Sequence, residues 1–228
     1  MTPDRRTRAE HAPDRSLAGV RDLALRDVEW TPELVERRNA VAELGDALRE
    51  LSASAISSEV DVDAIRAATV SARGLAATLA SRRRRINERS SIDDLRRGQR
   101  PYNPVVGIGN PVAPPLHIEY VDDAAVGTCT LDARYEGPLT YAHGGVSALL
   151  LDQIMGYAAA AAGHPGVTGR LEVRYRAAVP LGRPLRLEAR LIDVLGVRAT
   201  IRGSIGLDAD SASPLVEAEG RFLTLRPE

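Results

Sequence analysis

The sequence predicts an α+β chain, with an antiparallel sheet wrapped around one long apolar helix and an α-helical hairpin before it. Two observations carry that reading. From residue 116 onward apolar and charged residues alternate with a period of two, interrupted by turn residues. Inside that region Val146–Ala162 is almost wholly apolar, and its only ionisable side chains are Asp152 and Tyr157. A sheet with one apolar face needs a cover, and a helix apolar nearly all round needs burial.

The elements follow in order. Residues 1–30 are rich in charge and poor in large apolar side chains, so a disordered segment is expected. Residues 31–96 read as a helical hairpin. Thr31 is placed to cap the first helix and Pro32 to open it. Leu34, Val41, Leu44, Leu48 and Leu51 then recur at helical spacing. A second helix follows Asp61, with Val62, Ile65, Thr69, Ala72, Leu75 and Leu79 on one face; its tail, Arg82-Arg83-Arg84-Arg85, reads as a solvated helix end, with a patch for a phosphate or an acidic partner as the alternative. The two stripes are expected to pair. Residues 97–115 carry Gly98, Pro101, Pro104, Gly107, Gly109, Pro111, Pro114 and Pro115, a connection that opens the domain 97–228.

Six strand segments follow. They begin with Leu116–Val121 and Val126–Tyr135 before the apolar helix. After it come Arg170–Arg176, Leu185–Leu191, Val197–Ile205 and Val216–Leu225. Leu171, Val173 and Tyr175 point one way while the intervening charges point the other. The helix stops at Gly163, with Pro165 just beyond.

The site candidates cluster on the helix. His143-Gly144-Gly145 opens it and leaves backbone N–H groups at its positive end, where developing negative charge is stabilised. Asp152 has no Arg or His in its own helix to pair with, and an unpaired buried carboxylate is too costly to be kept for packing. An isolated acid with an oxyanion-type donor outlines a hydrolytic site.

Composition narrows the setting. The formal net charge of −1 gives no general field favouring nucleic acid. All 30 basic residues are Arg. Cys129 is the one cysteine, so no intrachain disulfide forms; it reads as a small core residue. His117 reads as structural and His164 as solvated. No His/Cys/carboxylate group has ligand spacing, so neither metal nor cofactor is expected. No signal-peptide pattern opens the chain, and the apolar run is too short and too polar for a membrane span, so a cytoplasmic protein is expected.

These residues resemble a family. His143-Gly-Gly with Asp152 following, Asn110-Pro111, Pro114-Pro115-Leu116, Tyr135-Glu-Gly-Pro138, Pro165-Gly-Val-Thr168 and Leu171-Glu-Val-Arg-Tyr175 are similar, in order and in strand register, to the hotdog-fold acyl-CoA thioesterases of the PaaI-like branch, which includes the human THEM enzymes. The resemblance covers about residues 100–228. It implies a hotdog fold and hydrolysis of an acyl-CoA thioester to free acid and CoA. It places Asp152 as general base or nucleophile, Gly144 as the N–H polarising the carbonyl, His143 as holding the loop or assisting there, and Thr168 as orienting water or the acid. It sets Gly145 and Gly137 on the substrate side. Some members carry Asn where this chain has Gly137, which removes one amide from the oxyanion side. Arg174 and Arg176 are candidates for the CoA phosphates.

Gly144 and Asp152 are eight residues apart, roughly 12 Å along a helix axis, too far for one thioester to meet both. Two antiparallel helices about a two-fold axis would bring Gly144 of one chain to Asp152 of the other. A homodimer or dimer of dimers is therefore expected. Two other classes compete: a hotdog hydratase or dehydratase, disfavoured because the helix holds no His partner for Asp152, and a non-catalytic acyl-CoA-binding or regulatory protein.

Overall fold

The computed structural model describes residues 30–94, 100–114, 116–210 and 212–224; the segment expected to be disordered lies, up to residue 29, outside them. Among the described residues there are three α-helices: α1 (Pro32–Ser57), α2 (Val62–Ala80) and α3 (Gly144–Ala161). Six strands form one sheet: β1 (His117–Val121), β2 (Ala124–Thr130), β3 (Gly166–Tyr175), β4 (Pro184–Leu195), β5 (Arg198–Leu207) and β6 (Val216–Thr224). Every pairing is antiparallel, and the order is β1-β2-β4-β5-β6-β3. The strand that follows α3 in the chain therefore lies at one edge, next to the last strand.

The core is the space between α3 and the concave face of this sheet. Ser147, Leu150, Leu151, Ile154, Met155, Ala158 and Ala159 are buried along α3, the three-four spacing of a single helix face. They meet Leu185, Leu187, Ile201, Ile205, Val216 and Phe222, all with at most 2% exposure. Fully burying a side chain of this size contributes on the order of 1.5–3 kcal/mol, so this interface dominates the stability of the sheet half. This is the hotdog arrangement that the resemblance implied.

Both helix starts predicted before residue 95 are present. Thr31 caps α1, its hydroxyl accepting from the Leu34 N–H at 3.4 Å, and Asp61 caps α2, accepting from the Ala64 N–H at 2.8 Å. The expected pairing of the two helices does not occur. α1 lays Gly45 against the 100–114 segment so closely that a Cβ there would stand 2.3 Å from the Ile108 carbonyl oxygen. Arg49 closes that contact, donating to the carbonyls of Ile108 at 2.9 Å and Asn110 at 3.0 Å. The partner of α1 is thus the proline-rich segment, and α2 leaves Val62, Ile65, Val70, Leu75 and Leu79 at least half exposed. Periodicity reports that a helix has an apolar face but not what covers it.

Two further boundaries differ from expectation. α2 ends at Ala80, so Arg82–Arg85 lie beyond it in the chain that turns back towards α1, where Arg38 donates to the Ile92 carbonyl at 3.5 Å. β2 ends at Thr130; Asp132 then accepts from the Arg134 N–H at 2.9 Å and starts a single 3-10 turn over Ala133–Tyr135. An aspartate capping its own local turn outcompetes continuation of the strand.

Candidate active site

The site grows from the start of α3. His143 precedes the helix in extended conformation, and its Nδ1 accepts from the Gly145 N–H at 3.0 Å. The ring therefore serves as N-cap and fixes its own tautomer, with the proton of the neutral imidazole on Nε2. Its backbone N–H donates to the Tyr135 carbonyl at 2.8 Å, which ties the helix start to the preceding 3-10 turn.

The Gly144 N–H, in contrast, meets no acceptor among the described residues. The Gly144 carbonyl is held on its other side by the Tyr175 hydroxyl at 2.9 Å. A Cβ on Gly144 would come within 3.3 Å of that tyrosine ring. The peptide that follows Gly144 is thus held at its carbonyl by a side chain from β3, and the Gly144 N–H, on the peptide before it, stands at the positive end of the macrodipole.

Gly137 belongs to the same loop. Its N–H donates to the Tyr141 carbonyl at 2.9 Å, closing the bend 137–141. A Cβ there would stand 2.7 Å from the Cα of His143. The backbone of His143 occupies the space any larger residue would need, which is why an asparagine does not fit this loop geometry.

Asp152 lies two turns further along. It is half-buried in the single chain, where the sequence suggested burial without a partner. A partner exists: Thr168 Oγ1 donates to Asp152 Oδ1 at 2.7 Å, and the second carboxylate oxygen meets no donor among the described residues. The next residue on α3, Gln153, accepts from the Asn103 amide at 3.2 Å. Asn103 also uses its own carbonyl oxygen to hold the Val105 and Val106 N–H groups at 2.7 and 3.0 Å. Burial raises the pKa of Tyr157, one turn beyond, above its ordinary value, and its ring stacks on Tyr120 with centroids 6.5 Å apart.

A β-bulge brings Thr168 to the acid. β3 and β6 run in regular register from Tyr175 back to Arg170, which opposes Arg221; Thr168 then opposes Phe222, so Gly169 is an extra residue. Leu171 and Val173 pack towards the core, and strict alternation would send Thr168 to the outer face. The bulge resets the phase and puts Thr168 on the same face as Phe222, against α3.

Arg174 and Arg176 stay on the outer phase. Arg174 donates to Glu172 at 3.4 Å and Arg176 to Glu217 at 2.7 Å. The structure brings Asp152 and Thr168 together, and His143, Gly144, Gly145 and Gly137 together two turns away. It does not bring the two arginines to either group. Sequence reading missed Asn103 and the role of Tyr175. The dipeptide Asn103-Pro104 signals a side-chain-capped turn, but nothing in it points to α3. Among the described residues no helix is long and apolar enough to cross a membrane, and no His/Cys/Asp/Glu group is arranged to hold a metal ion.

Comparisons with known proteins bear on the family of the chain. A family model, the thioesterase superfamily, matches residues 139–205, which contain the start of α3, Asp152 and Thr168. The crystal structure of a thioesterase superfamily protein is 34% identical, with a TM-score of 0.71, covering 80% of this chain and 90% of that one. That coverage is wider than residues 100–228 alone can supply, so the likeness extends into the N-terminal helical part. The Escherichia coli PaaI protein is 18% identical over 49% of this chain and 80% of its own, with a TM-score of 0.45. Zebrafish thioesterase superfamily member 2 is 17% identical over 48% and 81%, with a TM-score of 0.44. No curated protein matches. With the fold and this shared sequence in hand, the chain belongs to the thioesterase superfamily and is a hotdog-fold thioester hydrolase.

Proposed function

We propose that the substrate is an acyl-CoA, hydrolysed to free acid and CoA, with Asp152 as general base or nucleophile and the Gly144 N–H polarising the thioester carbonyl. The observation that carries this reading is the 2.7 Å bond from Thr168 to Asp152. It holds one carboxylate oxygen and leaves the other for a water or for the carbonyl carbon. The Gly144 N–H, which meets no acceptor among the described residues, supplies the oxyanion donor. His143 acts by capping: it consumes the Gly145 N–H, so that Gly144 alone presents a donor. Gly145 and Gly137 line the substrate side of the loop and let His143 pack closely at the helix start. Among solved structures of similar fold, one is a hypothetical Streptococcus pneumoniae thioesterase with coenzyme A.

The acid and the donor act together only across two chains, because they are roughly 12 Å apart along one helix. Two features support a two-fold dimer or a dimer of dimers. β3 is an unpaired sheet edge, and edges of this length are normally covered. Gly145, Leu149 and Ala160 are exposed along α3, with Asp152 and Gly156 half-buried between them, a face narrow enough for a second helix. Gly144 of the partner subunit then stands over Asp152. A cytoplasmic location goes with such a substrate.

A thiol-release assay over a panel of acyl-CoAs tests the reaction, with light scattering at assay concentration. Turnover by a dimer or tetramer is the expected result; full activity in a monomer overturns the two-chain site. Single-turnover hydrolysis in heavy-oxygen water separates the two roles of Asp152. Label in the product acid alone means that a water, deprotonated by the base, attacks the thioester carbonyl; label in the Asp152 side chain means direct attack.

A further inference from the structure

The arginine run after α2 is not a helix tail. As the chain turns back towards α1, Arg82, Arg83, Arg84 and Arg89 gather with Arg37 of α1 around a pocket of about 510 Å³. Its one lining carboxylate, Glu88, is already engaged by Arg85, through the backbone N–H at 3.0 Å and the side chain at 3.7 Å. Among the described residues the five pocket guanidinium groups have no carboxylate partner. Arg84 lies over the ring of Tyr102, 5.8 Å from its centroid, and Ser90 and Ser91 add hydroxyls. Arg84 donates to the Glu88 backbone carbonyl, and a pocket of this size with five guanidinium groups that no described carboxylate neutralises, hydroxyl donors and an aromatic wall fits a phosphorylated nucleotide. The outer face of the sheet is different, because its arginines are balanced: Arg174, Arg176 and Arg202 stand with Glu172, Glu217 and Glu219.

The pocket is also tied to the reaction site. Tyr102 is followed by Asn103, whose amide reaches Gln153, the neighbour of Asp152. We propose that this arginine pocket, built by the N-terminal helical part, receives the phosphorylated nucleotide end of the thioester's carrier while the acyl end lies at Asp152. This rests on the acyl-CoA reading above. The helical extension then selects CoA thioesters over those whose carrier lacks a nucleotide.

The test uses the full chain and has two arms. In the first, adenosine 3′,5′-bisphosphate and inorganic phosphate are titrated calorimetrically into wild type and into the double variant Arg83→Ala/Arg84→Ala. Both side chains are exposed, so the fold is retained. The wild type is expected to bind the bisphosphate more tightly than phosphate, and the double variant at least about ten-fold more weakly, as for the loss of charge-assisted hydrogen bonds. Arg66→Ala, whose guanidinium already pairs with Asp63 at 3.2 Å, is expected to bind as wild type does. Equal binding of phosphate and bisphosphate, or unchanged binding by the double variant, overturns the assignment.

In the second arm, KM and kcat are measured for one acyl group carried on CoA and on pantetheine. The double variant is expected to raise KM for the CoA thioester about ten-fold, leave kcat in place and leave the pantetheine thioester unaffected. Equal changes on both carriers overturn the proposal. A wild type that binds the bisphosphate through these arginines yet hydrolyses no acyl-CoA keeps the pocket and removes the substrate reading. A wild type that hydrolyses acyl-CoA without binding the bisphosphate removes the pocket alone.

Discussion

Thr168 and Asp152, sixteen residues apart in the chain and on different elements, share a hydrogen bond of 2.7 Å in which the threonine hydroxyl donates to one carboxylate oxygen. The contact exists because β3 carries one extra residue at Gly169. It turns a solvent-edge carboxylate into one with a fixed orientation, which a base or nucleophile requires.

Asp152→Asn tests the role of the acid with little change in shape. The amide still accepts from Thr168, so unfolding by urea is expected to match wild type. Hydrolysis is expected to fall on the order of a hundred-fold or more, as for removal of a positioned base. Near-normal turnover would assign the chemistry elsewhere.

Thr168→Val and Thr168→Ser separate orientation from packing. Valine keeps the branched shape and loses the donor, and about a ten-fold drop in kcat is expected from the loss of one hydrogen bond to a charged group. Serine restores the donor and most of the rate. A valine variant as active as the serine one would make the contact incidental.

Gly137→Ala tests the loop that sets the helix start. The new Cβ would stand 2.7 Å from the His143 Cα, so backbone has to move. A loss of roughly 1–3 kcal/mol in stability is expected, as for overpacking elsewhere. Activity should fall with it, since the displaced residue is the one that caps α3. Equal stability of variant and wild type in urea would contradict the close approach.

Burial pushes the Cys129 thiol from an ordinary value of 9.0 up to about 12. Between those values an unfolded chain loses the proton and the folded chain keeps it. This thiol therefore contributes stability that is complete below about pH 9 and declines as the pH rises towards about 12. Cys129→Ala is expected to flatten that decline in urea titrations compared with wild type. An identical slope in the two proteins would show that the thiol is not buried.

How much of this was legible beforehand follows from the range of each interaction. The caps at Thr31 and Asp61, the alternation of Leu185, Leu187 and Ala189, and the stop at Gly163 are local, and each was readable from neighbouring residues. So was the order of elements, and with it the fold class. The linked residues from Asn110 to Tyr175 pointed to the family, and Asp152 stood out as the one carboxylate in an apolar helix. The sequence by itself thus determined the sheet, its central helix and the residues worth suspecting. Only the tertiary structure decided what those residues meet. It set α1 on the proline-rich segment and left α2 exposed, because an apolar stripe does not name its partner. It turned Thr168 to α3, because a bulge reverses strand parity without an unambiguous local signal. It gathered Arg37 with Arg82, Arg83, Arg84 and Arg89, because a chain reversal joins charges that lie far apart in sequence. Short-range preferences are written residue by residue; contacts between distant segments arise only when the whole chain satisfies its burial and hydrogen-bonding demands together.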